Sequence, residues 1–341
     1  MAVLLKKTLS GFIFLGMGVA LVLGIVFRID VSQIWEAISR FSIGSFSIIL
    51  ALTFIAILVG ILRGRFIFKA QGDDIALWKL FVTVTAGVAF NYLIPFGYVG
   101  GEGAKGYVLN RRFKVPWPKV ASYLALDKLF ELTGAFFVIF AAMIAFVHYL
   151  GFSGLTKRMF FAIGFILAVT LLFAMFYLVL FKKKKIFTNL LNFLKLKDTR
   201  FGRGLIGAEN DIIDFFDVRS KYMWGAWFLT LLRQVIQIFR HILIIFYLGR
   251  GLLFAAPIIS LGGLYLGYTI PIPGALGIQE VFQGILFSIF GWGAGEGLAV
   301  SFILRGVDAF VVAIGVMVLF RYGIKLTMRT KVEVIDTKDN N

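Results

Sequence analysis

N-Y-L-I-P-F-G-Y-V-G-G-E, from Asn91 to Glu102, and T-I-P-I-P-G-A-L-G-I-Q-E, from Thr269 to Glu280, are the two stretches that decide how this chain folds. In each, an Ile-Pro pair leads into a glycine-rich turn, and a glutamate follows seven residues after the proline: Glu102 after Pro95, Glu280 after Pro273. Each stretch interrupts an apolar segment, residues 80–101 and 252–291, because proline removes a helical hydrogen bond and glycine favours turns. The two stretches lie 178 residues apart. The same offset lays 43–62 on 222–248 and 121–150 on 298–320, so each half reads span, span, hairpin, span. Three full crossings is an odd number, so the second half must lie inverted relative to the first. Inverted repeats with broken helices are a recurrent plan of secondary transporters, since two such halves offer near-equivalent inward-open and outward-open packings.

The rest of the chain agrees. Hydrophobic residues make up 60% and charged residues 16%, with a mean hydropathy of +0.92, against roughly 45–50% and 25% in soluble domains. The uncharged runs 9–27 and 159–181 match the ~20 residues that cross a ~30 Å hydrocarbon layer. The expected fold is an all-α polytopic membrane protein. It has about six full spans (9–27, 43–62, 121–150, 159–181, 222–248, 298–320) and two re-entrant helical hairpins at 80–101 and 252–291, with two full spans in place of each hairpin, above all the longer 252–291, as the open alternative. Residues 1–150 form the first inverted repeat, 151–325 the second, and 326–341 a disordered tail. The run 9–27 is longer than a usual signal-peptide core and lacks an A-x-A-like site, so it reads as the first span.

A formal net charge of +17 would point to nucleic acid in a soluble protein. Here the basic residues gather at 63–79, 103–119 and 182–221, so they set topology and meet anionic lipid, and no nucleic-acid partner is expected. The rule places these loops and both termini in the cytoplasm and the protein in a cell inner or plasma membrane. The polar stretch 182–221, apolar at intervals, is expected to lie on the cytoplasmic surface as an amphipathic linker. The chain has no cysteine and two histidines, His148 and His241, without metal-ligand spacing, so neither a metal nor another cofactor is expected.

Irregular backbone at membrane depth must be buried in protein or line a polar cavity. The tips around Pro95, Gly100 and Gly101, and around Pro273 and Gly277, therefore mark a candidate substrate chamber, and helices restarting there present N–H groups suited to an anion. Charges inside spans add to it, because each costs roughly 2.5–3.5 kcal/mol near a helix centre and so faces the interior. Arg233 and Arg240 lie seven residues apart on one face, with Gln237 between. Arg305 and Asp308 are three apart and expected to pair. The candidate substrate contacts are these arginines with Glu102, Lys105 and Glu280; Asp127, Glu131 and Asp308 are candidates for proton coupling or ion pairing. A purely structural charge network is the competing reading of the same residues. Gly101 to Gly106 also matches G-x-G-x-x-G, but no strand precedes it, so a dinucleotide site is rejected. No nucleophile-plus-base set stands out, and no catalytic residue is assigned.

P-F-G-Y-V-G-G-E-G-A-K (Pro95 to Lys105), P-I-P-G-A-L-G-I-Q-E (Pro271 to Glu280) and L-R-G (Leu304 to Gly306) together resemble the transmembrane region of lysylphosphatidylglycerol synthases, the multiple peptide resistance factor proteins. The resemblance implies a lipid flippase that carries aminoacylated phosphatidylglycerol outward and lowers susceptibility to cationic peptides, with relatives associated with polyprenyl-phosphate sugars. Full-length members add a soluble domain that transfers the amino acid from tRNA. This chain stops about twenty residues past its last span, so it is expected to stand alone without lysyltransferase activity. Its expected partners are anionic membrane lipids, a separate lipid-synthesising enzyme and, as an open alternative, a second copy in a homodimer. A membrane-embedded lipid-modifying enzyme and a non-transporting scaffold remain the competing classes.

Overall fold

The computed structural model describes residues 31–93, 98–151, 156–195, 197–251, 254–268 and 275–321. The expected first span at 9–27, the tail at 326–341 and both Pro95 and Pro273 lie outside the described residues. Twelve α-helices follow in order: α1 Val31–Ser39, α2 Ile43–Ala70, α3 Leu77–Leu93, α4 Tyr98–Tyr107, α5 Trp117–Leu150, α6 Lys157–Phe181, α7 Ile186–Phe193, α8 Arg200–Phe215, α9 Lys221–Tyr247, α10 Ala255–Gly267, α11 Ile278–Ile289 and α12 Ala294–Arg321. A π-helical turn, Val108–Arg112, continues α4. Among the described residues, α2, α5, α6, α9 and α12 are long and apolar enough to span a bilayer. Among the described residues the protein is all-helical, and it is polytopic.

Local sequence fixes the helix starts. Ser42 caps α2 by accepting from the Ser45 N–H at 3.0 Å, Thr199 caps α8 from Gly202 at 2.9 Å, and Pro118 occupies the first turn of α5. Gly277 stands before α11 at φ +80°, where its N–H meets the Glu280 carboxylate at 2.9 Å.

The helices repeat in register. Starts at 43, 77, 98 and 117 are followed by starts at 221, 255, 278 and 294, displacements of 178, 178, 180 and 177 residues. Packing obeys the same exchange: α2 lies against its counterpart α9, α5 packs on α10, and α12 packs on α3. The central pair runs antiparallel, because Arg63 meets Thr230, Arg240 meets Thr53 and Phe66 meets Tyr222. Glycines permit the other two contacts. A Cβ on Gly315 would strike the Thr85 carbonyl oxygen across α12 and α3, and one on Gly262 would strike Ala142 across α10 and α5. The short helices pair within each half, α3 with α4 and α10 with α11.

Two apolar clusters flank this centre. One gathers Phe68, stacked on Tyr123 at 4.6 Å, with Phe130, Phe215 and Phe216. The other gathers Ile244, Leu248, Phe287 and Leu304. Helix α6 is peripheral, touching α5 through Phe173 on Phe136 and Tyr177 on Thr133.

Several expected boundaries are corrected. The span at 43–62 continues to Ala70, since Arg63 is only 2% exposed and ion-paired, and so does not mark a water interface. The returning leg of the first hairpin runs on to Tyr107 instead of stopping at 101, because Lys105 is neutralised inside the protein. Helices α5 and α12 begin at Trp117 and Ala294, each four residues ahead of expectation. The linker at 182–221 contains α7 and α8, and α8 packs on α5.

Candidate functional site

A chain of ion pairs crosses the apolar interior. The Arg63 guanidinium meets Asp127 Oδ1 at 2.6 Å, while Lys105 Nζ meets Asp127 Oδ2 at 3.3 Å and Glu102 at 3.1 Å. Lys128 bridges Glu131 at 3.0 Å and Glu102 at 3.9 Å, and Arg233 approaches Glu131 at 4.0 Å. Arg63 also donates to Thr230 at 3.5 Å. Helical spacing makes the cluster compact: Glu102 and Lys105 are one turn apart on α4, as are Lys128 and Glu131 on α5. Isolated charges in such an interior cost several kcal/mol each, so only mutual pairing makes this tolerable.

A second cluster forms at the other hairpin. Arg305 of α12 meets Glu280 at 3.0 Å and donates to the Ala275 carbonyl at 3.0 Å. Glu280 in turn holds the Gly277 N–H, which fixes the carboxylate against the hairpin backbone. Tyr92 donates to Asp308 across α3 and α12. Arg240 donates to the Thr53 hydroxyl at 2.9 Å, and Tyr265 donates to Gln234 at 2.7 Å. Tyr265 lies within the fields of both Arg233 and Arg240, and Asp308 within those of Arg240 and Arg305, so the two clusters form one electrostatic region.

The repeat relates the clusters unevenly. Glu102 and Glu280 are equivalent, but Asp127 falls, at the 178-residue offset, on Arg305, so one half carries an anion where the other carries a cation. Several buried polar atoms make no hydrogen bond to the protein, among them Glu102 Oε2, Arg233 Nε, Gln237 Oε1, Arg240 Nε and His241 Nε2. Such atoms in an interior mark places where water or a ligand completes the bonding.

Each end of the bundle also carries a polar tie. At one end Arg250 grips Glu296 with two bonds of 2.6 and 2.7 Å, and Arg40 reaches Glu296 at 3.5 Å and the Leu248 carbonyl at 3.2 Å. The bond to Glu296 raises the Arg250 pKa. At the other end Lys119 meets Asp73 at 2.6 Å and the Gln71 carbonyl at 3.2 Å, and Gln71 donates to Ser122 at 2.8 Å. Both ties join the turn after a central helix, α2 or α9, to the start of the last long helix of the same repeat, α5 or α12.

Of the residues singled out from sequence, Glu102, Lys105, Asp127, Glu131 and Arg233 share the first cluster, and Glu280, Arg305 and Asp308 gather at the second with Arg240 nearby. Gly101 lies inside α4, its N–H on Asn91 Oδ1 at 2.7 Å, and Gly100 lies in the same helix. The expected Arg305–Asp308 pair is not formed. Arg305 turns to Glu280, which the hairpin backbone holds in place, and Asp308 accepts from Tyr92. Glu102 pairs with lysines, not with an arginine. Arg63, Thr53, Tyr92, Lys128, Thr230 and Gln234 were missed. Arg63 looked like a helix-end charge beside Arg65; the signal that would have found it is the repeat offset, which lays it on His241, beside Arg240.

Comparison with curated proteins and with solved structures found no match. Residues 13–315 match the family described as the lysylphosphatidylglycerol synthase TM region. That match spans nearly the whole described bundle, including both short-helix pairs, both charge clusters and the repeat-related central helices, and the chain therefore belongs to this family of membrane proteins.

Proposed function

We propose that the protein is a lipid translocase of a cell inner or plasma membrane that passes a phosphate-bearing headgroup between leaflets while the acyl chains stay in lipid. The observation that carries this reading is the pair of buried and half-buried charge clusters inside the bundle, Arg63, Lys105, Asp127 and their partners in one, Glu280 and Arg305 with Arg240 nearby in the other. A scaffold has no need of so many costly interior charges with unfilled hydrogen-bonding capacity. The two short-helix pairs, α3 with α4 and α10 with α11, are read as re-entrant hairpins. Rocking of one half against the other, opening the tie at one end while the other holds, would expose the headgroup to each side in turn. Aminoacylated phosphatidylglycerol and polyprenyl-phosphate-linked lipids are the substrates the family resemblance points to. Both termini are assigned to the cytoplasm by the distribution of Lys and Arg.

The test is reconstitution in vesicles with fluorescent lipids and a membrane-impermeant quencher. Loss of inner-leaflet protection in wild-type vesicles, slowed by Asp127→Asn and Arg305→Gln, is the expected outcome. Full protection of every probe lipid would end the translocase reading. A change in lipid composition instead of sidedness would favour a lipid-modifying enzyme.

A further inference from the structure

Independently of translocation, we infer that α7 is a docking element for an anionic lipid surface and that it, rather than the linker as a whole, holds the 182–221 segment to the membrane. On α7 and its C-cap, Ile186, Leu190, Phe193 and Leu194 recur at helical spacing and so form one stripe. All four are exposed, Phe193 by 83%. The helix is nonetheless firmly seated. Leu191 is buried, and Glu209 of α8 accepts from the Thr188 N–H at 2.8 Å and from its hydroxyl at 2.6 Å. Helix α8 is covered where α7 is not. None of its described large apolar side chains is exposed; Ile213 and Phe215 are buried, and Phe215 packs edge-on against Phe130 of α5. Of the two linker helices, α8 belongs to the bundle, and α7 keeps an open apolar face.

Position, level and charge point to lipid as what covers that face. The apolar run of α6 ends at Phe181 after 19 residues, a length that matches the hydrocarbon layer. Four residues separate it from Ile186, a reach of at most about 14 Å. Those residues turn back sharply, since Lys183 stands at φ +52° and the Lys183 and Lys184 N–H groups return to the Leu180 and Val179 carbonyls at 3.0 and 3.3 Å. The level is set by α8, whose Gly207 packs on Pro118 beside Trp117. Trp78, Trp117 and Trp224 are each exposed in the first turn of α3, α5 and α9, as indoles are at a headgroup layer. Charge agrees with both. The lysines at 182–185, with Lys195 and Lys197, are exposed at the two ends of α7, against one acid, Asp198, between 182 and 198. An apolar stripe flanked by lysines suits an anionic headgroup layer, the stripe entering the acyl boundary while the ammoniums stay among the phosphates.

The chain has no native cysteine, so Leu190→Cys on the stripe and Asn192→Cys on the opposite, polar side can each carry one fluorophore. The full chain is reconstituted in nanodiscs of phosphatidylcholine alone or mixed with phosphatidylglycerol. Quenching by a nitroxide-bearing lipid is then compared with quenching by aqueous iodide. In mixed discs the label at 190 is expected to respond to the lipid quencher and the label at 192 to iodide. Lys195→Gln combined with Lys197→Gln is expected to shift the balance of docked to water-exposed label at 190 toward water by roughly fivefold per lysine in mixed discs, and hardly at all in phosphatidylcholine. High salt acting on the unsubstituted lysines is expected to give the same shift, which covers the case in which the variant does not fold. Iodide quenching of both positions alike in mixed discs would overturn the docking. Shielding of 190 from iodide without lipid quenching would show a protein surface over the stripe and overturn the lipid assignment. No shift on charge removal or in high salt, or an equal one in both disc types, would overturn the role of anionic lipid.

Discussion

Replacing Asp127 by asparagine is the sharpest probe of how the interior is held together. The carboxylate is buried, 5% exposed, and neutralises Arg63 at 2.6 Å and Lys105 at 3.3 Å. Asparagine keeps the shape and one acceptor but removes the charge. Lys105 still has Glu102 at 3.1 Å, whereas Arg63, 2% exposed, is left with the Asp127 carbonyl and the Thr230 hydroxyl. Breaking one member of a buried pair typically costs about 3–5 kcal/mol, far more than the 0–1 kcal/mol of a surface pair. Asp127→Asn is therefore expected to lose about 3–5 kcal/mol in SDS-driven unfolding from mixed micelles, and Arg63→Met combined with Asp127→Leu is expected to recover most of it. A loss below about 1 kcal/mol, or a double variant no better than the single one, would refute the claim that this pair is dry and mutually dependent.

Other consequences follow from packing and pH. Gly315→Leu is expected to destabilise by more than about 3 kcal/mol in the same unfolding assay, because its Cβ meets the Thr85 carbonyl oxygen and backbone must move. Glu296→Gln is expected to loosen one end of the bundle without unfolding it, seen as faster hydrogen exchange at 248–251, since Arg250 loses its anion and Arg40 is left with Glu36. Two loop and surface-helix carboxyls titrate with opposite sign. Hydrogen bonding to Arg65 lowers the Asp74 pKa, so its contribution is present above the unfolded value near 3.9 and is lost as pH falls through the lower folded value. Burial raises the Asp211 pKa, so stability falls as pH rises from that unfolded value through the higher folded one; Asp211→Asn is expected to be neutral or mildly stabilising at pH 7 in thermal unfolding and to lose that gain at pH 3.

The architecture was readable in sequence where it depended on period and length. The long apolar helices and the two pairs of short helices stand out because membrane helices need uncharged length and proline and glycine break a helix. The 178-residue offset found from two short motifs reappears in the helix starts to within two residues. Positions of individual charges were less readable. Arg63 was lost because a charge at the edge of an apolar run looks the same whether it faces headgroups or a buried aspartate sixty-four positions away. The Arg305–Asp308 pairing failed because helical spacing shows which residues share a face, not which partner a neighbouring hairpin presents. Tyr92 carried no signal, since tyrosine is common at membrane interfaces and its partner Asp308 is distant in sequence.

The account depends most on the two hairpins lying inside the bilayer within reach of water from both sides. The absence of native cysteine allows this to be measured with single replacements at Gly103, where an added Cβ meets no neighbour within 4 Å, and at the partly buried Leu276 beside the other turn. Proteoliposomes would be treated with a membrane-impermeant thiol reagent from either side. The account predicts that each position is labelled from both sides, slowly, and that phosphatidylglycerol in the membrane protects it. Rapid labelling of each position from one side alone, unaffected by lipid, would place the hairpins at the water interface and contradict it.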